Sequence, residues 1–313
     1  MPENHGAPAD ILIGQPTFEE EGGNAKGEIG AATFAVPTGI AVGNGILAVA
    51  DAWNHRVLIW HGVPERSNRP ADLVLGQATF AEGAANRGAG APRADTMNWC
   101  YGVAIHAGRL LVADTGNRRV LAWNQIPTRN GAPADLVLGQ RSFETRDENC
   151  EGAHAGARMR WPHAIAADAD KLFIADAGNS RVMVWNSWPQ DCGAPCDFVL
   201  GQSGFAGTDH NRGAYHPTAS TSCMPYGLTV QANRLIVADT ANSRLLGFEL
   251  SDLAMAAPAT LLTGQTAFGD RGDNRWNPPA ADSLCWPYAV AGKGRTVAIA
   301  DSGNNRVLLW DIA

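Results

Sequence analysis

The chain has 313 residues, of which 45% are apolar and 18% charged, so it is long enough to bury a sizeable core. Its 24 basic and 31 acidic residues give a net charge of −7, which argues against a nucleic-acid-binding protein, because such proteins need a basic surface to displace counterions. It contains no apolar run of the roughly eighteen residues that a membrane-spanning helix requires, so we predict no membrane association.

Two short phrases recur five times along the chain. The first is an apolar run that ends in Ala-Asp and is followed by a turn and an arginine, and its aspartates are Asp51, Asp114, Asp176, Asp239 and Asp301. The second ends in Gly-Gln, with its glycines at Gly14, Gly76, Gly139, Gly201 and Gly264. Successive copies of each phrase are 62 or 63 residues apart, so five units use the whole chain. We therefore predict a single repeat domain over residues 1–313.

Each unit reads as four short strands, taken here from the first unit. Residues 38–42, 46–51, 56–60 and 72–76 are short, β-branched and largely apolar, as expected of strands covered on both faces. The units run near residues 16–77, 78–140, 141–202, 203–265 and 266–313, the last completed by 1–15.

The two ends of the chain indicate how the repeat closes. Residues 1–10 match residues 126–135, which link a third strand to a fourth, while the C-terminal end stops where that link would begin. We therefore predict that residues 10–14 pair into the blade that holds Asp301, which would remove both exposed sheet edges. The predicted fold is an all-β, closed, five-bladed β-propeller with four strands per blade.

The first phrase resembles the NHL repeat, in the forms ADAWNHRV, ADTGNRRV, ADAGNSRV, ADTANSRL and ADSGNNRV. This resemblance covers all five units and implies a β-propeller. The family includes lyases, interaction scaffolds and RNA-binding modules, so the resemblance does not by itself imply a role.

The longest loops follow the Gly-Gln phrases, and the propeller topology places all of them on one face. They cover residues 16–37, 78–100, 141–162, 203–225 and 266–287, and each carries a phenylalanine and an asparagine at shared positions. Long loops on a rigid scaffold commonly carry function, so we predict the functional site on this face. Features present in every unit, including the five Asp–Arg pairs, are interpreted as structural.

Residues that break the repeat at the start of the first strands are candidates for a soft-metal site. Cys223 and Cys285 share one repeat position, and His163 and Cys100 lie close to that position in other units. Thiolates and imidazole together favour copper or zinc, with copper implying redox chemistry and zinc implying activation of water or a carbonyl. Two alternatives stay open: the cysteines pack as small apolar residues, or Cys223 and Cys285 form a disulfide.

Large side chains at the same level predict a pocket at the channel mouth. The candidate pocket residues are Trp99, Trp161, Trp286, Met224 and Trp53, unless they merely plug the channel. A phenol of Tyr101, Tyr226 or Tyr288 could serve as a general acid if a neighbouring metal lowered its pKa.

Two functions follow from these candidates. The first is a metal-dependent enzyme or binder of a small molecule, either a copper oxidoreductase or a zinc lyase or hydrolase. The alternative is a metal-free interaction scaffold that holds a protein partner on the five-loop face. No nucleic acid is expected as partner, and the compartment stays open between a cytoplasmic protein and a periplasmic one that has lost its leader. Cys192 and Cys196 would form a local disulfide or none.

Overall fold

Strands and short turns account for nearly all regular structure in the computed structural model, which describes residues 9–150, 155–293 and 296–311. The first blade contains β1 (Pro37–Gly43), β2 (Ile46–Asp51), β3 (Arg56–His61) and β4 (Leu73–Leu75). The second contains β5 (Cys100–His106), β6 (Arg109–Asp114), β7 (Arg119–Trp123) and β8 (Leu136–Leu138). The third contains β9 (Pro162–Asp168), β10 (Lys171–Asp176), β11 (Arg181–Trp185) and β12 (Phe198–Leu200). The fourth contains β13 (Pro225–Gln231), β14 (Arg234–Asp239), β15 (Arg244–Glu249) and β16 (Leu261–Thr263), and the fifth β17 (Pro287–Lys293), β18 (Thr296–Asp301) and β19 (Arg306–Asp311).

The described helices are all short 3-10 turns. Five connect second and third strands: Ala52–Asn54, Thr115–Asn117, Ala177–Asn179, Thr240–Asn242 and Ser302–Asn304. Five lie in the long loops: Gly23–Lys26, Ala85–Gly88, Ala155–Ala157, His210–Gly213 and Asp273–Trp276. One more, Leu250–Asp252, follows β15. None of these described helices is long and apolar enough to cross a membrane.

Each blade is an antiparallel sheet whose strands are ordered as they are in the sequence. The register is the same from blade to blade, so that Asp51 pairs with Arg56 and Asp114 with Arg119 where the second strand meets the third. The inner strands of successive blades pack from β1 through β5, β9 and β13 to β17, and buried apolar residues of neighbouring blades form shared clusters. The architecture confirms the predicted five-bladed β-propeller.

The predicted pairing of residues 10–14 with the fifth blade is absent. Within the described residues, β19 pairs with β18 alone, and residues 10–14 contain no strand. The segment instead lies against the first blade, where the Asn68 amide donates to the Leu12 carbonyl oxygen at 2.8 Å. Gly131 makes the same bond to Val74 of a true fourth strand, at 2.8 Å. Residues 10–14 therefore contact the first blade as the fourth strand of a preceding blade would. They do not pair with β19 of the fifth blade.

Candidate functional site

A buried ion pair under each turn holds the loop face together. Nε of Arg56 lies 2.8 Å from Oδ2 of Asp51, and neither side chain is exposed to solvent. The same guanidinium donates to the carbonyl oxygens of Gly30, Thr33 and Phe80, which belong to two different long loops. Equivalent pairs recur in the other blades: Asp114–Arg119, Asp176–Arg181, Asp239–Arg244 and Asp301–Arg306. This geometry agrees with the structural interpretation of these pairs.

The recurring loop asparagine is a second anchor. Nδ2 of Asn86 donates to Oδ1 of Asn117 at 3.1 Å, and Nδ2 of Asn117 donates back to Oδ1 of Asn86 at 2.8 Å. Asn117 also donates to Oδ2 of Asp114, so loop, turn and ion pair form one network. Asn86 has a φ of 51°, a left-handed conformation that asparagine tolerates better than most residues. Each long loop is thus fastened at a fixed point on its blade.

The repeat position of Cys223 and Cys285 is also part of this network. Their backbone amides donate to Oδ1 of Asp239 at 2.6 Å and of Asp301 at 2.7 Å. Sγ of Cys285 lies against Gly303, in the turn of its own blade, and the counterpart Asn98 lies in the same way against Gly116. The thiol of Cys285 therefore lies over the turn of its own blade, as the Asn98 side chain does in the second blade.

Cys100 and His163 occupy two further environments. Sγ of the fully buried Cys100 donates to the Arg56 carbonyl oxygen at 3.1 Å. The imidazole of His163 stacks between Tyr101 and Tyr226, with ring centroids 4.9 and 4.3 Å away. Within residues 9–150, 155–293 and 296–311, no three side chains of His, Cys, Asp or Glu are placed to hold a metal ion. The predicted ligand set is not assembled.

The surroundings of the candidate thiols favour their neutral form. Burial raises the pKa of Cys223 to about 12, with the Asp239 charge adding to this effect. Burial likewise raises the pKa values of Cys100 and Cys285. Metal ligation requires thiolates, so a metal ion bound by these residues would have to displace their protons.

Four aromatic rings line the central cavity. His163 and its neighbours Tyr101 and Tyr226 continue to Tyr288, whose ring centroid lies 5.1 Å from that of Tyr226. With Thr38 from the first blade, they border a cavity of about 620 Å³, whose described lining carries no charged side chain. Sequence reasoning placed these residues at one level correctly, since each is the second residue of its inner strand.

Burial shifts the pKa values of His163 and Tyr226 in opposite directions. Burial lowers the pKa of His163 to about 4, so the imidazole is neutral at pH 7. Burial raises the pKa of Tyr226 to about 12, and the neighbouring Tyr288 acts in the same direction. An efficient general acid has a pKa close to the working pH, so this shift is in the opposite direction.

The other predicted pocket residues stand outside the lining of this cavity. Trp99 and Trp161 precede the inner strands and are 51% and 39% exposed, whereas Met224 and Trp286 are half-buried. Trp53, in the turn of the first blade, is 61% exposed. One residue stands directly before each inner strand. In four of the five blades this residue has a left-handed φ: Val36, Trp99, Met224 and Trp286. Sequence patterns gave no signal for this backbone conformation.

We call Val36, Trp99, Trp161, Met224 and Trp286 the rim. Their backbone amides are held by the preceding blade in three cases. The amide of Trp99 donates to Nδ1 of His55 at 2.9 Å, and those of Met224 and Trp286 donate to Oγ of Ser180 and Ser243 at 3.3 and 3.2 Å. These three rim residues are therefore held at the contacts between blades.

Five antiparallel sheets, four with four strands and the fifth with three in the described residues, each with one Asp–Arg pair beside its turn, define a repeat-built β-propeller. The family model of the NHL repeat matches residues 34–60, a segment within the first unit that contains β1, β2, the turn and most of β3. This match and the five-bladed architecture together support an NHL-repeat propeller.

Two solved structures are similar over most of the chain. One is a nidogen/laminin complex, at 14% identity, with 90% of this chain and 78% of that chain covered and a TM-score of 0.48. The other is the computationally designed Ika8 protein, at 9% identity, with 88% and 71% covered and a TM-score of 0.41. A search of the curated proteins found no match.

Proposed function

We propose that this propeller is a metal-free binding module that holds a segment of a partner protein on its loop face, against the rim and over the aromatic cavity. The observation that carries the proposal is the exposure of Trp99 and Trp161 on a backbone fixed by the buried network beneath. The amides of the preceding residues, Asn98 and Arg160, donate to Asp114 and Asp176 at 2.7 and 2.8 Å.

The rim conformation supports a role in binding. A left-handed φ for Trp99 or Trp286 costs on the order of 1–3 kcal/mol, and such strain is found mostly at functional positions. Exposed tryptophans held rigidly lose little conformational entropy on binding, and tryptophan is enriched among the residues that dominate interface energies. A purely structural rim would be better served by glycine at these left-handed positions.

The cavity supports the same role. Its uncharged, partly aromatic lining suits an apolar or aromatic side chain inserted from the partner. The fixed Asn–Asn anchors keep the long loops from closing over the mouth, because each loop is fastened to its blade.

Selection of peptides from a random displayed library, with the purified protein as bait, tests this function. We expect the selected peptides to lose at least about tenfold in affinity for Trp99→Ala and Trp161→Ala, the size of effect that truncation of an aromatic anchor in an interface produces. Val63→Ala is the matched control, because Val63 is 60% exposed but lies in the link between β3 and β4. Peptides that bind all three variants equally, or no enrichment at all, would contradict the proposal.

The metal-dependent enzyme stays a prediction of the sequence, and elemental analysis tests it. Because no three side chains of His, Cys, Asp or Glu among the described residues are placed to hold a metal ion, we expect sub-stoichiometric copper and zinc in the purified protein, unchanged in Cys223→Ser and Cys285→Ser. One equivalent of metal that both substitutions remove would instead establish the metal site.

A further inference from the structure

A second cleft lies between the long loops of the fourth and fifth blades, away from the central cavity. It has a volume of about 490 Å³ and is bordered by Tyr215 and His216 of one loop and by residues 265–277 of the next. Tyr215 and Trp276 are 66% and 71% exposed. None of these residues belongs to the rim or to the ring around the channel.

Trp276 occupies a position where two other blades have glycine. Its φ is 62°, and its counterparts Gly88 and Gly213 have φ of 75° and 81°. Glycine adopts this conformation freely, whereas a tryptophan there is strained. Because Trp276 is exposed and its backbone is strained, packing in the core does not explain it. These two features favour a binding role.

In the 3-10 turns of the long loops, the residue that precedes the turn changes together with the residue that ends it. Where the turn ends in glycine, it starts at Ala84 or Asp209, both with extended backbone. Where it ends in Trp276 or Lys26, it starts at Gly272 or Gly22, with φ of 108° and 113°. A Cβ at Gly272 would collide with the indole ring, so this glycine is required for the ring to lie across the turn. The fifth loop is therefore built to seat an indole with one face against Gly272.

The rest of the cleft offers hydrogen-bonding groups of both kinds. The Arg271 guanidinium lies over the Tyr215 ring at 4.9 Å and donates to the Tyr215 carbonyl oxygen at 3.0 Å, which joins the two loops. Nε of Arg271 is buried without a hydrogen-bond partner in the described part of the chain. The Asp270 carboxylate accepts from the Ala267 amide, and Asn277 donates to the Arg275 carbonyl oxygen at 2.8 Å.

The exposed indole and the polar groups of the cleft favour one class of ligand. An aliphatic ligand would make no use of the remaining hydrogen-bonding capacity of Asp270, Arg271 and Asn277, and a simple cation would meet the charges of Arg271 and Arg275. A pyranose sugar presents an apolar C–H face, which can stack on an indole, and a rim of hydroxyls that both donate and accept. A volume of about 490 Å³ lies within the range of small-ligand sites.

We propose that the cleft between the fourth and fifth loops binds a saccharide, with one pyranose ring stacked on Trp276 and its hydroxyls held by Asp270, Arg271 and Asn277. The Arg271 guanidinium, which borders the cleft, would donate to a sugar hydroxyl or to the carboxylate of an acidic sugar.

Saturation-transfer NMR and calorimetry test the proposal with the methyl glycosides of glucose, mannose, galactose and N-acetylglucosamine, and with glucuronic acid. We expect at least one sugar to bind with a Kd on the order of millimolar and Trp276→Gly to weaken it by about tenfold, the loss of one aromatic face. Trp276→Gly should fold normally, because Gly88 and Gly213 serve at the same position. Preference for glucuronic acid over glucose would identify the acidic class.

Trp99→Ala is the control that separates this site from the rim, and it should leave sugar binding unchanged while peptide binding is lost. Failure of every sugar to bind, or equal binding by the wild type and Trp276→Gly, would overturn the proposal. Neither result bears on the rim, because the peptide selection uses different residues.

Discussion

The buried Asp–Arg pair is the residue-scale unit from which the loop face is built. Each arginine satisfies one carboxylate and up to three carbonyl oxygens of two loops, so its removal would leave a buried charge and several unpaired acceptors. The pair of the fifth blade differs, because the Arg306 side chain is 27% exposed while that of Arg119 is fully buried.

This difference predicts the effect of removing either arginine. Arg119→Met should lower the free energy of unfolding by about 3–5 kcal/mol, since it strands the buried Asp114 carboxylate. Arg306→Met should cost clearly less, because water reaches that pair. Urea unfolding followed by circular dichroism measures both, and equal losses would mean that the fifth-blade pair is buried as deeply as the second.

A second residue-scale prediction concerns acid stability. The pKa of His163 is lowered from 6.5 to about 4 by burial, so between these values the unfolded chain binds more protons than the folded one. Stability is therefore complete above about pH 6.5 and falls as the pH is lowered to about 4, by about 3 kcal/mol from this group.

His163→Phe keeps a ring in the stack and removes this titration. The difference in unfolding free energy between wild type and variant, measured from pH 7 to pH 4, isolates His163 from His55, whose pKa is also lowered by burial. A difference that does not change over that range would contradict the assigned burial.

At the scale of elements, the close approach of inner strands fixes the width of the channel. Gly39, Gly102 and Gly227 share one position, and each lies against the backbone of the next blade: that of Tyr101 and its neighbours, His163, and Tyr288 and its neighbours. A Cβ at Gly102 would collide with the His163 carbonyl oxygen, so the aromatic ring depends on this contact.

Gly102→Ala should therefore separate the second and third blades locally. We expect a loss of about 1–3 kcal/mol of stability, as overpacking against backbone produces, and a weaker near-ultraviolet circular dichroism signal from the stacked rings. Ala164→Gly, at the same position of the third blade, is the control and should leave that signal in place. An unchanged spectrum of Gly102→Ala would show that the strands do not meet as described.

At the scale of the whole molecule, the first and fifth blades are the exception to the ring of contacts. Within the described residues, β19 pairs with β18 alone, and Val307 and Leu309 on it are 68% and 61% exposed. On the other side of this boundary Ile40 and Val42 are 69% and 65% exposed.

Equivalent valines on two blades test whether this boundary stays open in solution. Val120 and Val307 follow the arginines of β7 and β19, and they are 0% and 68% exposed. Val120→Thr should cost about 1–3 kcal/mol, because it buries a hydroxyl, while Val307→Thr should change stability by less than about 0.5 kcal/mol. Equal costs in thermal or urea unfolding would mean that β19 is covered, as the predicted closure requires.

The repeat allowed much of the fold to be predicted from the sequence. The recurring Asp51 and Gly76 phrases located the strands, the number of blades and the loop face, because strand patterning and turn chemistry are local and were repeated five times. The predicted first-unit strands agree with the observed ones to within about a residue. The alignment of Tyr101, His163, Tyr226 and Tyr288 at one level followed from the same register.

The sequence by itself determined the repeat, the blades and the level at which each residue lies, since these depend on local pattern and count. Only the tertiary structure decided the direction of the side chains at that level. The amides of Cys223 and Cys285 bind Asp239 and Asp301, and the thiol of Cys285 lies against Gly303 in the turn of its own blade. It also decided that residues 10–14 dock on the first blade without reaching β19, because pairing between distant segments depends on how five blades fit together around the channel.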